Sequence, residues 1–232
     1  MEDFKAAAKI NGISRMYLLK RWLLDFAYPN RCPFCDKIIP FDEYYCAGCG
    51  SFFSAPPEKE ELEFLNGLTA FTGYDTVSRA FVAELKSNNN GYALSAAAYM
   101  IFKRLIEEDF IADLDCITCV PMRRKNIQKR GYNQTKLLAK EISGLLGLPF
   151  VPLLKKTKDT LEQKSLSAEG RRVNVKGAFS VASKHYELNG KNILIIDDVC
   201  TTGSTLSENA RTLKSAGAGR VFAAVFAKTK LY

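Results

Sequence analysis

The stretch NILIIDDVCTTGST, residues 192–205, decides the fold. Ile193 to Ile196 form an apolar run bounded by polar residues, which predicts a buried strand delivering Asp197 and Asp198 at its C-terminal end. In open α/β sheets that edge is where ligands bind. Thr201, Thr202, Gly203, Ser204 and Thr205 then make a hydroxyl-rich turn. It leads into a helix expected from about Ser204 to Ala216, which Gly217 ends. Backbone amides at a helix start, with the helix dipole behind them, form an anion site. Gly203 is expected to spare that site the Cβ that would hold a phosphate away. One short element thus offers acceptors for sugar hydroxyls and donors for a phosphate about one sugar away, and a ribose 5-phosphate matches both. The adjacent carboxylates repel each other and need a partner. No Walker A lysine pattern or G-x-G-x-x-G follows a strand, which argues against nucleoside triphosphates and dinucleotides.

Working outward, LTAFTGY (68–74) alternates like a strand, and Cys116–Val120 is an apolar strand stopped by Pro121. An Ala-rich helix is expected over 92–108. Asn133 can cap a helix running to about Leu146, with Gly147 beyond it. VFAAVFA (221–227) is a last strand, whereas residues 153–176 are polar and basic without useful periodicity. Strands alternating with helices predict an α/β domain with a largely parallel sheet. Residues 14–28 place Leu18, Leu19, Trp22, Leu23 and Phe26 at helical spacing. Their polar face is not strongly cationic, so packing against the protein's own body is expected rather than a membrane surface.

Cys32, Cys35, Cys46 and Cys49 read C-x2-C-x10-C-x2-C, spacing that can set four thiolates tetrahedrally around Zn²⁺. With four protein ligands no position stays open, so the site is expected to be structural. Gly48 and Gly50 are expected to ease the turn that brings amides to the sulfurs. Cys116 and Cys119 form a third C-x-x-C, but i and i+3 of a strand face opposite ways, so core packing is expected. His185, the one histidine, reads as a solvated loop residue.

Hydrophobic residues make up 47 % of the 232 and charged ones 25 %, so a core forms without staples. No apolar run approaches the ~20 residues of a membrane helix. MEDFKAAAKINGISR has no secretory h-region and the cysteines suit metal thiolates, so a cytoplasmic location without membrane insertion is expected. Residues 121–176 hold 14 basic and 4 acidic groups, against 33 and 25 in the whole chain, so a polyanion is expected there.

The acidic loop DDVCTTGST resembles the phosphoribosyl pyrophosphate signature of type I phosphoribosyltransferases. The order of further motifs resembles the ComF family, late competence proteins linked to DNA uptake. They are CPFC and CAGCG, Val120-Pro-Met122, Arg130-Gly-Tyr-Asn-Gln134, Gln163-x-x-Leu-Ser167, Arg171-x-x-Asn174-Val and Gly177-Ala-Phe179. The resemblance runs from about residue 24 to 228. It implies a type I phosphoribosyltransferase fold over 64–232 and an N-terminal helix with a four-cysteine zinc ribbon or knuckle within 1–54, while the Pro/Glu-rich composition of 55–63 reads as a linker between them.

The resemblance also implies roles. Asp197 and Asp198, the catalytic candidates, would hold the ribose 2′ and 3′ hydroxyls. Thr201, Thr202, Gly203, Ser204 and Thr205 would bind the 5-phosphate. The turn carrying Pro121, Met122, Arg123 and Arg124 would meet pyrophosphate with Mg²⁺, and residues 155–176 would close over the substrate. A transferase of the glycosyltransferase class follows, with positioning and charge stabilisation as its means. The same cations support another reading, a non-catalytic single-stranded-DNA-binding or scaffold protein that keeps the ribose-phosphate pocket. Arg123, Arg124, Lys125, Arg130 and Arg171 would track a backbone there and Tyr132 would stack on a base. A competence helicase or recombination mediator is the partner the resemblance implies.

Overall fold

The computed structural model describes residues 15–87, 90–158, 168–182 and 186–230. Its strands are β1 (Gly67–Gly73), β2 (Cys116–Cys119), β3 (Leu154–Lys156), β4 (Phe179–Val181), β5 (Ile193–Cys200) and β6 (Val221–Lys228). Its α-helices are α1 (Arg15–Ala27), α2 (Ala47–Gly50), α3 (Thr76–Ser87), α4 (Gly91–Leu105), α5 (Arg124–Arg130), α6 (Gln134–Leu146), α7 (Ala168–Val175) and α8 (Ser204–Ser215).

Four strands form an all-parallel sheet in the order β1-β6-β5-β2, and β3 and β4 pair separately as an antiparallel two-stranded sheet. Gly67, Phe222, Leu194 and Ile117 share one row across the parallel sheet. Beyond β2, Phe150 adds a parallel bridge to Ile117. β6 is buried along its whole length, which explains why VFAAVFA shows no polar alternation: both of its faces are covered. Leu194, Ile196, Phe222, Ala224 and Phe226 pack under α4 and α6. Ile193, Ile195, Val221, Ala223 and Val225 pack under α8. Cys116 and Cys119 fall into these two opposite cores. The chain leaves β2 through α6 on one face and β5 through α8 on the other, in opposite directions. The crevice between the C-terminal ends of β2 and β5 is therefore the switch point of the sheet.

Local chemistry sets the ends. The Asn133 side chain accepts from Lys136 N at 3.1 Å, and Gly147 closes α6 with φ 71°. Gly217 takes φ 97° just after α8. The segment expected to lack regular structure supplies β3 and α7, elements too short to show a period. Gln163, Leu166, Ser167 and His185 lie outside the described residues.

The four-cysteine module sits against the domain through aromatic rings. Phe34 lies 4.9 Å from Phe81, Phe53 meets Phe226 edge-on at 5.6 Å, and Tyr44 stacks on Tyr99 at 4.0 Å. Residues 55–63 run on across the end of the sheet, where buried Lys228 donates to the Glu58 carbonyl at 3.0 Å. The expectation for α1 needs correction. Leu18 is buried, but Leu19, Trp22, Leu23 and Phe26 are exposed, because the helix docks through its polar side. Arg21 donates to the carbonyls of Phe41 and Glu43, and Asp25 accepts from Asn30 N. Among the described residues no helix is long and apolar enough to cross a membrane.

Candidate functional site

The acidic pair lies within β5 rather than beyond it, since the strand continues to Cys200. Asp197 and Asp198 meet Thr201–Thr205 in one cleft of about 370 Å³ at the switch point. Tyr74, Lys86, Val120, Pro121, Lys156 and Phe179 complete much of its wall. The Asp198 N–H donates to Asp197 Oδ1 at 2.9 Å. Lys86 Nζ lies 2.8 Å from Asp198 Oδ2, and the Gln134 side-chain amide donates to the same oxygen at 3.3 Å. These are the partners that two neighbouring carboxylates require. Burial, and then the charge of Asp198, hold the Asp197 carboxyl well above the usual carboxylate range. Burial opposes the Lys86 charge, but Asp198 and Asp197 outweigh it and its pKa goes up.

Across the cleft, the ladder of α8 begins with Ser207 N to Gly203 O at 2.9 Å, so the amides of Ser204, Thr205 and Leu206 precede it. Thr202 Oγ1 and Ser204 Oγ are 3.0 Å apart, and Thr229 Oγ1 donates to the Thr201 carbonyl at 2.6 Å. Gly203 takes φ 70°, and a Cβ there would come within 2.4 Å of the Leu62 side chain.

The cations described on the cleft wall are Lys86 and Lys156. Arg123 is half-buried at the N-cap of α5 and Lys125 is exposed. The side chains of Arg124, Arg130 and Arg171 lie outside the described ones. Tyr132 is half-buried and its hydroxyl donates to the Leu85 carbonyl at 3.2 Å. Cys200 is buried at the strand end, and burial followed by the charge of Asp197 pushes its thiol up to about 12, which disfavours the thiolate.

In the four-cysteine module all four sulfurs lie within 4.8 Å of one another. Cys35 Sγ and Cys46 Sγ are 3.7 Å apart, and Zn–S bonds of about 2.3 Å give a tetrahedral edge of about 3.8 Å. Burial raises the Cys32 pKa, but the amides of Cys46, Phe34 and Cys35 bring it down to about 7. Asp36, with φ 60°, makes the turn of the first knuckle. Of the two expected turn glycines, Gly48 has open space around it, while a Cβ on Gly50 would stand 2.5 Å from the Tyr45 ring.

Residues 127–230 match the model of the phosphoribosyl transferase domain. Competence protein F of Haemophilus influenzae is 28 % identical over 189 residues, covering 80 % of each chain. The DNA utilization protein YhgH of Escherichia coli O157:H7 is 27 % identical over 205 residues, covering 82 % of this chain and 86 % of its own. These likenesses support placing the chain with the ComF family. Among solved structures, glutamine phosphoribosylpyrophosphate amidotransferase of Bacillus subtilis superposes with a TM-score of 0.40 at 20 % identity. That likeness covers 61 % of this chain and 30 % of the amidotransferase.

The ComF motif Arg130–Gln134 gains a physical account from the cleft. Gly131 closes α5 in the left-handed region at φ 80°, Tyr132 ties down the end of α3, and Asn133 caps α6. Gln134 then reaches Asp198. Four successive residues thus join three helices to one carboxylate. Lys86, the other member of that joint, gave no sequence signal, because its partner lies more than a hundred residues away.

Proposed function

We propose that this ComF-family protein binds 5-phosphoribosyl pyrophosphate, carried with Mg²⁺, in the cleft between β2 and β5. The observation that carries the reading is the convergence of Asp197 and Asp198 with the Thr201–Thr205 turn and two lysines in one cavity. The carboxylates accept from the ribose 2′ and 3′ hydroxyls, and the amides and hydroxyls of the turn hold the 5-phosphate. Lys86 and Lys156 face the negative charge of the pyrophosphate, a part first expected of Arg123 and Arg124. Mg²⁺ supplies partial neutralisation of the pyrophosphate charge. As pyrophosphate leaves C1′ and an acceptor attacks, positive charge grows on the ribose next to the acidic pair, whose carboxylates stabilise it. The protein's work is positioning and charge stabilisation, and no histidine is needed.

The four cysteines hold structural Zn²⁺, supported by an S···S spacing that matches a tetrahedral cage. The names of the relatives, competence and DNA utilization, support a role in DNA uptake. Calorimetric titration of phosphoribosyl pyrophosphate, with and without Mg²⁺, tests the cleft. Wild type should bind and Asp197→Ala/Asp198→Ala should not. A folded, zinc-loaded wild type that fails to bind would sink this reading and leave single-stranded DNA on the basic segment as the ligand to test.

A further inference from the structure

An amphipathic surface helix normally turns its apolar stripe to the core. α1 does the reverse. Its docked side is polar: the Arg21 guanidinium lies 3.8 Å over the Tyr44 ring and donates to two carbonyls. Asp25 is bonded to Asn30, and the Tyr17 hydroxyl donates to Glu141. Gly144 lets the Tyr17 ring in, since a Cβ there would stand 2.6 Å from it. These bonds fix the rotation of the helix, so rolling it to bury the stripe would break all of them. Outside on one side stand Met16 at 80 % exposure, Leu19 at 47 %, Trp22 at 53 %, Leu23 at 59 % and Phe26 at 96 %, while Leu24, also exposed, lies off that side. At helical spacing these five share one face.

We propose that this face is where a second copy of the chain docks, helix α1 against helix α1. Three features select that occupant. First, Lys20 is the one charge among the described exposed positions of α1, and an anionic lipid surface calls for a cationic flank. Second, an uncharged stripe can face its own image across a two-fold axis without opposing like charges. Third, at about 150–250 Å² for a fully exposed large side chain, the five expose on the order of 600 Å² per copy. Two copies would bury roughly 1,200 Å², the lower bound of a standard stable interface. The proposal is independent of what the cleft binds.

Trp22 is the only tryptophan and stands in the face, so it reports the contact directly. Sedimentation velocity of the full-length chain, from on the order of 1 to 100 µM, should show the mass doubling over the range where such an interface is populated. Trp22 emission should shift to the red, and its quenching by iodide should rise, in step with dissociation on dilution. Trp22→Ser/Phe26→Glu should remain monomeric and melt where the dilute, monomeric wild type melts, because both side chains already face solvent in the single chain. A chain that stays monomeric at every concentration overturns the proposal, whether or not it binds phosphatidylglycerol vesicles. So does a dimer whose Trp22 stays fully quenchable, or one that survives the double substitution.

Discussion

Lys86 Nζ lies 2.8 Å from Asp198 Oδ2, joining the last turn of α3 to the acidic end of β5. The pair is partly buried, and without the lysine two carboxylates face each other in the cleft, with the Gln134 amide 3.3 Å from one of them. Lys86→Met should therefore lower stability by about 1–3 kcal/mol, less than a fully buried pair would lose. Adding Asp198→Asn should recover much of that. Urea unfolding of the two single variants and the double variant reads the coupling, and additive losses would show that the ion pair contributes nothing.

Asp197 is held protonated more readily than a free carboxyl by burial and by Asp198. A raised folded pKa means stability that is present at low pH and lost as pH rises through the folded value. Asp197→Asn should therefore raise the melting temperature at neutral pH, by about 1 kcal/mol in stability, while removing phosphoribosyl pyrophosphate binding. The gain should shrink as pH falls toward the ordinary carboxylate range. Melts at several pH values check the sign, and a destabilised variant at pH 7 would contradict it.

Gln134 is 5 % exposed and donates to Asp198. Gln134→Glu replaces that donor with a third acid and should cost about 2–4 kcal/mol or force the new group to take a proton. Gln134→Ala should cost roughly 1 kcal/mol, the worth of one hydrogen bond to a charged group reduced by its length. Chemical denaturation separates the two, and equal losses would show that charge is not the issue.

Gly203 carries two separable constraints, φ 70° and the Leu62 side chain. Gly203→Ala should cost about 1–2 kcal/mol from the left-handed backbone alone, with a further loss from Leu62. In a Leu62→Ala background the steric part disappears and the backbone part stays. The difference between the two measurements isolates the contact, and no difference would mean that Leu62 moves aside freely.

Removal of zinc should unfold the module and release the Phe34 and Tyr44 contacts with Phe81 and Tyr99. Mercurial release should yield one zinc per chain, and chelation should raise hydrogen exchange in α4 as well as in residues 30–53. Loss of zinc without a change in α4 would show that the module is energetically separate from the domain.

The acidic strand, the hydroxyl-rich turn, the Asn133 and Gly147 boundaries, the opposed cysteines of β2 and the spacing of the four module cysteines were legible in the sequence, because each signal lies within about twenty residues. Local chain geometry decides such features, and period, capping and turn residues report it. The separate β3–β4 sheet left no trace, since three residues cannot display an alternation.

By itself, then, the sequence determined an α/β chain with an acidic strand end beside a hydroxyl-rich turn, and a clustered thiolate module. Only the tertiary structure decided which groups meet Asp198, because Lys86 and Gln134 arrive from two different helices far apart in the chain. It also decided that Gly203 answers to Leu62 and that α1 shows its apolar face to solvent. A helical pattern records which side chains share a face, but not which face the rest of the chain can bond. Arg21, Asp25 and Tyr17 settled that through partners on Phe41, Glu43, Asn30 and Glu141, which no helical period connects.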